Sequence, residues 1–251
     1  MSARRAGVLG WPVAHSRSPA MHEAAYVATG LRDWRYQLLP VPPDLFAETT
    51  RALPQAGFAG ANVTIPHKVA ALRVATAATP TAQAVGAANT LTFGPDGEIE
   101  ADNTDAPGFL AALDEDPNGV RATVLGAGGS ARAVVWALKQ AGADVEVRNR
   151  TAERAERLAD EMQVRAVRGE VGGDLLVSCV PPGIDLPPGD WATVVDLAYG
   201  DIETPLVAQA RKHGARTVDG LEVLVRQGAL SFERWTGVAA PLDDMRAAVR
   251  A

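Results

Sequence analysis

Cysteine is almost absent from this sequence: Cys179 is the only one among 251 residues. A single cysteine excludes an internal disulfide and a cysteine-rich metal site, so we expect no metal. Long apolar runs are missing as well. The uncharged run at 74–95 is interrupted by Thr, Pro, Gly and Gln, and the apolar stretch near the N-terminus is broken at Pro12 and His15. Neither suits a bilayer or a signal sequence, so we expect a cytoplasmic protein.

An excess of positive charge is also lacking. Lys and Arg total 24 against 30 Asp and Glu, which gives a net charge of −6. We therefore expect no nucleic-acid or membrane partner. With 47% apolar and 22% charged residues, the composition is that of a folded globular protein. The length allows one large domain or two modest ones.

A glycine-rich turn stands in the middle of the chain, between an apolar run at 122–125 and a segment at 130–141 whose apolar residues follow helical spacing. The glycines and a following alanine give the G-x-G-x-x-A form of the dinucleotide fingerprint. Gly126 would make the tight turn, and Gly128 would let the backbone approach a pyrophosphate at the helix N-terminus. The predicted cofactor-binding residues of this loop are Gly126, Ala127, Gly128, Gly129 and Ser130.

The end of the next strand, predicted at 145–147, distinguishes NAD from NADP. An NAD site usually places Asp or Glu there to hold the ribose 2′-hydroxyl. This strand runs instead into basic and polar residues, and guanidinium groups match the oxygens of a 2′-phosphate. We therefore predict NADP(H) as the cofactor. The alternative is that Thr151 only caps the helix predicted at 152–162 and that the arginines are solvated. The predicted clamp consists of Asn149, Arg150, Thr151 and Arg154.

Strands alternate with helices along the rest of the chain, which predicts an α/β fold. Residues 1–105 predict a mainly parallel sheet that ends in a hairpin. Residues 106–224 predict a Rossmann-like NADP-binding domain, and we place residues from about 225 to 251 back in the first domain. Ser18 followed by a proline predicts a helix capped by that serine.

Polar residues gather where the predicted strands of the first domain end, which is where open α/β sheets bind ligands. Hydroxyls, amides, one lysine and one carboxylate suit a small polyhydroxylated ligand, including an anionic one. Each has a simpler interpretation: Ser18 and Asp105 as helix caps, Asn89 as a turn residue, and Lys68 as a solvated lysine. The gathered residues are His15, Ser16, Ser18, Asn62, Thr64, Lys68, Asn89, Asn103 and Asp105.

Oxidation of a secondary alcohol with NADP needs a base within hydrogen-bond reach of the hydroxyl. Four scattered histidines single out no candidate. A lysine can serve if its environment lowers its pKa, and a carboxylate can orient it. Lys68 with Asp105 would make such a pair.

These segments resemble the shikimate dehydrogenase family, and the resemblance spans nearly the whole chain. Residues 15–19 (HSRSP) resemble the family's HSxSP segment, and 62–68 (NVTIPHK) resemble its NVTxPxK motif. Residues 86–90 (GAANT) resemble its GAxNT motif. Further matching segments are 103–105 (NTD), 126–130, 149–154 and the closing segment 220–237.

The resemblance implies a role for each matching residue. Lys68 is implied as the catalytic residue, Asp105 as its partner at the reacting hydroxyl, and Gly220 as a neighbour of the nicotinamide. Leu197 joins Gly220 and the loop and clamp residues in the cofactor site. The implied substrate-binding residues are Ser16, Ser18, Thr64, Asn89, Tyr199 and Gln227.

The implied protein is an NADP-dependent oxidoreductase with a substrate domain, a Rossmann-like domain and an active-site cleft between them. It would reversibly reduce 3-dehydroshikimate to shikimate in chorismate and aromatic amino acid biosynthesis, with Lys68 as proton donor and acceptor. Its partner would be this small molecule, and the protein would be a monomer or homodimer. A quinate or aminoshikimate dehydrogenase of the same family, and a non-catalytic NADP(H)-binding sensor, stay open as alternatives.

One departure from the family pattern falls beside the cofactor. Residues 178–180 read Ser-Cys-Val where the family usually has Asn, then Ala or Thr, then Thr. The change removes an amide and a hydroxyl.

Overall fold

The chain folds into two units, and each unit contains one six-stranded sheet within the residues that the structure describes. The computed structural model describes residues 4–251. Unit 1 comprises the described residues up to Gly108 together with Leu224–Ala251, and unit 2 is Phe109–Val223. The predicted two-domain α/β fold is confirmed.

The strands and helices are numbered in chain order. The strands are β1 (Arg4–Gly10), β2 (Trp34–Pro40), β3 (Phe58–Val63), β4 (Ala77–Ala78), β5 (Thr90–Phe93), β6 (Ile99–Asp102), β7 (Arg121–Leu125), β8 (Asp144–Arg148), β9 (Arg165–Ala166), β10 (Leu175–Ser178), β11 (Thr193–Asp196) and β12 (Arg216–Val218). The helices are α1 (Ser18–Ala28), α2 (Phe46–Ala52), α3 (Lys68–Val74), α4 (Pro80–Val85), α5 (Asp105–Leu113), α6 (Gly129–Gln140), α7 (Ala152–Met162), α8 (Pro205–Lys212), α9 (Gly220–Thr236) and α10 (Leu242–Arg250).

The sheet of unit 1 has the order β2-β1-β3-β5-β6-β4, and only β5 runs against the other strands. The chain leaves β1 for β2 on one side and then crosses to β3 on the other. The carboxyl ends of β1 and β3 therefore form a topological switch point, where open α/β sheets bind ligands. The loop into α1 and the loop into α3 both start there.

The sheet of unit 2 is parallel at every pairing, in the order β9-β8-β7-β10-β11-β12. Numbered within the unit, this is the 3-2-1-4-5-6 order of the Rossmann fold. Its central strands are buried on both faces, as in β7 and β10, whose apolar residues lie under α6 and its neighbours. The switch point lies at the carboxyl ends of β7 and β10, and the glycine-rich turn, which directly follows β7, is located there.

Two helices and a short strand were not predicted: α4, α8 and β4. Both helices begin with Thr-Pro, and the threonine is the N-cap. Thr79 Oγ1 accepts a hydrogen bond from the backbone N–H of Ala82, and Thr204 Oγ1 accepts one from Val207. This is the start pattern predicted for α1, so the sequence carried the information.

No helix within residues 4–251 is both long and apolar enough to cross a membrane.

An aromatic cluster in unit 1 packs α1 against β2 and α9, and His22 lies at its centre. The His22 ring is fully buried, stacks on Tyr36 with ring centroids 4.2 Å apart and lies 5.6 Å from Trp235. Burial lowers the pKa of His22 from 6.5 to about 3, because no water solvates the imidazolium there.

We expect this histidine to make unit 1 sensitive to acid. Above about pH 6.5 the ring is neutral in both the folded and the unfolded chain. Below that pH only the unfolded chain takes up the proton, so the free energy of unfolding falls by about 1.4 kcal/mol per pH unit until about pH 3. His22→Phe, which keeps an aromatic ring in the stack, should remove about 2 kcal/mol of the loss between pH 7 and pH 5. Urea unfolding followed by tryptophan fluorescence measures the free energy of unfolding at each pH. An equal fall in the wild type and in His22→Phe would contradict the prediction.

Candidate active site

The loops that follow β1 and β3 are joined by backbone hydrogen bonds at the switch point of unit 1. The N–H of Thr64 donates to the carbonyl oxygen of Leu9 at 2.9 Å, and the N–H of Trp11 donates to that of Ile65 at 3.0 Å. These bonds join the loop that leads to the predicted substrate-binding residues Ser16 and Ser18 to the loop that leads to Lys68.

Ser16 and Ser18 lie together in the first of these loops. The hydroxyl of Ser16 donates to Ser18 Oγ at 3.1 Å and accepts the backbone N–H of Ser18 at 3.3 Å. The prediction that Ser18 caps α1 is wrong: the cap position is Arg17, and Ser18 is already helical. The helix starts one residue earlier than predicted, and the Ser16 hydroxyl accepts the N–H of its first residue.

Lys68 and Asp105 form a buried ion pair. Nζ of Lys68 donates to Oδ2 of Asp105 at 2.5 Å, and both residues are only 9% exposed. Lys68 is the first residue of α3, and its backbone carbonyl accepts the N–H of Ala88 at 2.9 Å. The alternative of a solvated first-turn lysine is therefore wrong, since α3 and the chain before β5 enclose the side chain.

The carboxylate of Asp105 does not cap α5. The N–H of Ala106 donates to Oδ1 of Asn103 at 3.1 Å, and the N–H groups of Thr104 and Asp105 donate to Oδ1 of Asn89 at 2.7 and 3.3 Å. Two asparagine side chains thus satisfy the first amides of the helix. The Asp105 carboxylate is left to accept hydrogen bonds from side chains.

The amide of Asn89 is oriented by those backbone donors. Because Oδ1 accepts backbone N–H groups, Nδ2 faces the site, where it donates to Asp105 Oδ1 at 3.0 Å and to Gln227 Oε1 at 2.9 Å. The structure therefore brings together four of the predicted residues of unit 1: Lys68, Asn89, Asp105 and Gln227. Thr64 is half-buried at the end of β3, and His15 is exposed.

Three hydroxyl residues that were not predicted belong to the same polar network. Thr90, Thr104 and Ser231 are each at most 3% exposed. Thr90 and Thr104 stand inside the GAANT and NTD motifs, and Ser231 follows Gln227 by one helical turn on α9. The motifs and the i, i+4 spacing were the available signals.

The glycine-rich turn of unit 2 contains two different kinds of glycine. Gly126 has a φ of +118°, and a Cβ there would meet the carbonyl oxygen of Cys179 at 3.1 Å. Gly128 has an ordinary φ of −93°, and a Cβ there would have no neighbour within 4 Å, only open space. The fold therefore requires a glycine at 126 but not at 128. At 128 the open space suits the approach of a pyrophosphate.

We expect alanine substitutions to separate these two requirements. Gly128→Ala should leave the melting temperature close to that of the wild type and raise Kd for NADP on the order of tenfold, because the methyl group would occupy the anion's approach. Gly126→Ala should instead lower the free energy of unfolding by about 1–3 kcal/mol through backbone strain. Calorimetric titration measures the affinity of each variant for NADP, and thermal unfolding measures its stability. Unchanged NADP affinity in Gly128→Ala would contradict the assignment.

The N-terminus of α6 is open to an anion. No side chain caps it, and its first turn contains no acidic residue. Its amide groups and the helix dipole are therefore favourable for a phosphate group.

Four exposed arginines at the end of β8 and on α7 differ from the other arginines of unit 2: Arg148, Arg150, Arg154 and Arg157. Arg121, Arg132, Arg165, Arg168, Arg211 and Arg216 each pair with a carboxylate. Among residues 4–251, Arg150 and Arg154 have no carboxylate partner within 4.0 Å and are exposed. Thr151 occupies the cap position of α7 but its side chain makes no capping hydrogen bond. The alternative that Thr151 only caps is therefore not supported. Two unpaired guanidinium groups fit a 2′-phosphate.

The predicted residues Leu197 and Tyr199 lie in the loop after β11, which begins next to the buried carboxylate of Asp196. Asp196 is 1% exposed; its Oδ2 accepts the hydroxyl of Thr204 at 2.8 Å, and its Oδ1 accepts the N–H of Ala198 at 3.2 Å. Burial raises the pKa of Asp196, and these hydrogen bonds oppose the rise. The loop so held carries Leu197 and the half-buried Tyr199.

Gly220 lies against that loop. A Cβ at this position would meet the carbonyl oxygen of Leu197 at 2.4 Å and that of Ala198 at 2.7 Å. Any side chain would displace the backbone of the loop, so the packing of unit 2 requires glycine here. This close packing places the predicted cofactor residues Leu197 and Gly220 next to each other.

Within residues 4–251, no group of three or more His, Cys, Asp or Glu side chains could hold a metal ion.

A Rossmann-ordered sheet with an open glycine turn, and a second α/β unit with a buried lysine–carboxylate pair, define a dinucleotide-dependent oxidoreductase. The family model of the shikimate dehydrogenase substrate binding domain matches residues 8–91. The models of the shikimate / quinate 5-dehydrogenase and of the shikimate 5′-dehydrogenase C-terminal domain match residues 111–170 and 220–250. The chain belongs to the shikimate dehydrogenase family.

Individual relatives are similar to this chain over nearly its whole length. A shikimate dehydrogenase (NADP(+)) of Paracoccus denitrificans is 42% identical over 270 residues, covering 98% of this chain and 95% of that protein. The crystal structure of Thermus thermophilus shikimate 5-dehydrogenase in complex with NADP(H) and shikimate has a TM-score of 0.91 and 39% identity, covering 100% of this chain and 99% of that one. A ligand-free 5-ketofructose reductase of Gluconobacter has a TM-score of 0.86 and 30% identity, covering 99% of this chain and 98% of that one.

Proposed function

We propose that this chain catalyses the reversible NADP(H)-dependent reduction of 3-dehydroshikimate to shikimate, a step of chorismate and aromatic amino acid biosynthesis. The buried Lys68–Asp105 pair is the observation that carries the proposal beyond the fold. It is a proton donor and acceptor enclosed in a site lined by amides and hydroxyls, which suits a ring alcohol. A protein that only senses NADP(H) has no use for it.

Lys68 exchanges the proton of the reaction. In the direction of reduction, its ammonium group gives a proton to the carbonyl oxygen, which becomes the hydroxyl of shikimate. In the direction of oxidation, its neutral amine takes that proton back. Asp105 holds the lysine side chain in one orientation through the 2.5 Å contact. NADPH, when bound, supplies the hydride that the carbonyl carbon receives.

The remaining polar residues of unit 1 recognise the substrate. Ser16 and Ser18, with hydroxyl oxygens 3.1 Å apart, bind the two oxygens of the substrate carboxylate. Asn89, Gln227 and Thr64 bind ring hydroxyls. In unit 2, Tyr199 contributes to substrate binding.

The residues of unit 2 that fit NADP(H) are those of the glycine turn and of the loop after β8. Gly126 to Ser130 bind the pyrophosphate, Asn149 to Arg154 bind the adenosine ribose and its 2′-phosphate, and Leu197 and Gly220 lie against the nicotinamide. The open space at Gly128, the uncapped helix α6 and the unpaired arginines support this assignment.

The purified protein tests the proposal in four reactions: shikimate or quinate, each with NADP or NAD, followed by nicotinamide absorbance. We expect strong turnover with shikimate and NADP. Quinate carries an extra hydroxyl on the carbon that bears the carboxylate, so a preference for quinate would mean that the space beside Ser16 and Ser18 accepts it. The match to a shikimate / quinate model is the reason to include that acid. No turnover in any of the four reactions, by a protein that still binds NADP, would favour the sensor alternative.

A cytoplasmic location and a monomeric or homodimeric state remain our predictions, and sedimentation of the purified protein tests the latter.

A further inference from the structure

Three buried hydroxyls in unit 1 form a closed triangle that the proposed reaction does not use directly. The oxygen atoms of Thr90 and Thr104 are 3.0 Å apart, those of Thr90 and Ser231 are 2.8 Å apart, and those of Thr104 and Ser231 are 3.3 Å apart. We call these three residues the hydroxyl cluster. They come from β5, from the turn before α5, and from α9, so the cluster joins three segments that carry predicted site residues.

The cluster is anchored from the sheet. Nδ2 of Asn62, on β3, donates to Ser231 Oγ at 2.9 Å, and Oδ1 of Asn62 accepts the hydroxyl of Tyr36 at 2.7 Å. Both anchoring side chains are at most 6% exposed. The position of the triangle is therefore set by β2 and β3.

On its other side the cluster contacts the proposed substrate-binding amides. Asn89 Nδ2 donates to Thr104 Oγ1 at 2.8 Å, and Ser231 Oγ donates to the backbone carbonyl of Gln227 at 3.2 Å. Gly108 adds a tight contact, because a Cβ there would lie 2.7 Å from the backbone of Gln227. Small displacements of α9 are therefore restricted at Gln227.

The hydroxyl cluster affects how the two Nδ2 hydrogens of Asn89 are shared. Its Nδ2 carries two hydrogens but has three acceptors within 3.0 Å, which belong to Thr104, Asp105 and Gln227. Thr104 Oγ1 can accept from the hydroxyl of Thr90 instead, since the hydrogen of Ser231 is donated to Gln227. The cluster can thus release one hydrogen of Asn89 for a bound hydroxyl without leaving a buried oxygen unsatisfied.

We propose that the hydroxyl cluster of Thr90, Thr104 and Ser231 positions Asn89 and Gln227 for the ring hydroxyls of the substrate. Its members are positioning residues, since they act through Asn89 and Gln227. The proposal rests on the proposed function and adds residues that determine substrate affinity.

Thr90→Val tests the proposal, because it replaces the hydroxyl by a methyl group of similar volume. Thr50→Val is the matched control. Thr50 is also fully buried in unit 1, but its hydroxyl donates only to the carbonyl of Phe46 on its own helix. Ser231→Ala removes a second hydroxyl of the cluster. Thr90→Ser keeps a hydroxyl at position 90. Each protein is titrated calorimetrically with shikimate and assayed for KM and kcat.

We expect Thr90→Val and Ser231→Ala to raise Kd and KM for shikimate about three- to tenfold, with KM for NADP within about twofold of the wild type. Thr90→Ser and Thr50→Val should keep wild-type values for both ligands. Shikimate affinity within twofold of the wild type in both cluster variants, or an equal loss in Thr50→Val, would overturn the proposal. A wild-type protein that binds NADP but not shikimate would overturn the proposed function, and the positioning role with it.

Discussion

Lys68→Ala lowers kcat for shikimate oxidation by about 10²–10⁴, with little change in KM for shikimate; this is the expected result if Lys68 carries the proton. The hydroxyl proton then has no acceptor at the reacting oxygen, while the groups that bind the rest of the ring are retained. Steady-state kinetics in both directions measure the effect. The loss should be similar for reduction, because the same group donates the proton.

The substitution also leaves the buried Asp105 carboxylate without its cation, which costs stability. Lys68→Met, which fills the same space, separates packing from chemistry and should be as inactive as Lys68→Ala. Lys212→Ala, at an exposed lysine at the end of α8, is the matched control and should keep wild-type kcat. NADP affinity should be unchanged in all three, because the proposed cofactor residues are in unit 2. Wild-type turnover in either Lys68 variant would contradict the assignment.

The sequence predicted the Rossmann unit closely because its local patterns are strong. Apolar runs of four or five residues, a glycine turn and an amphipathic helix each predict the same structure, and α7 has the predicted bounds. Helices α4 and α8 were overlooked since both are short, and α4 lies in the uncharged run at 74–95 that is rich in Thr, Pro, Gly and Gln. The Thr-Pro start of each helix was the available signal.

The detailed geometry of the site was less predictable, because its partners are distant in sequence. The sequence pattern makes Asp105 a plausible helix cap, but Asn103 and Asn89 accept the first backbone N–H groups of α5. The burial of Lys68 depends on the chain before β5 and on a carboxylate 37 residues away. Ser231 meets Thr90 across 141 residues, and no local pattern indicates that contact.

The second large effect is expected for cofactor choice. Replacing Arg150 and Arg154 together by Ala should lower kcat/KM for NADP by about 10- to 100-fold for each arginine, because a hydrogen bond between charged groups contributes about 1.5–3 kcal/mol. The activity with NAD, which lacks the 2′-phosphate, should change by no more than about threefold. The preference for NADP over NAD therefore collapses, and kinetics with both cofactors at saturating shikimate measure it.

Arg165→Ala is the matched control for this prediction. Arg165 is an exposed arginine of the same unit, on the strand next to β8, but its guanidinium pairs with Asp144 at 3.0 Å. An arginine already engaged with a carboxylate has little to offer a phosphate, so this variant should keep the wild-type preference. If activity with NADP and NAD falls together in the double variant, the arginines maintain the local fold rather than read the 2′-phosphate. If neither falls, the 2′-phosphate must be bound by other residues near the end of β8, and Arg148 is the nearest unsubstituted cation in the sequence.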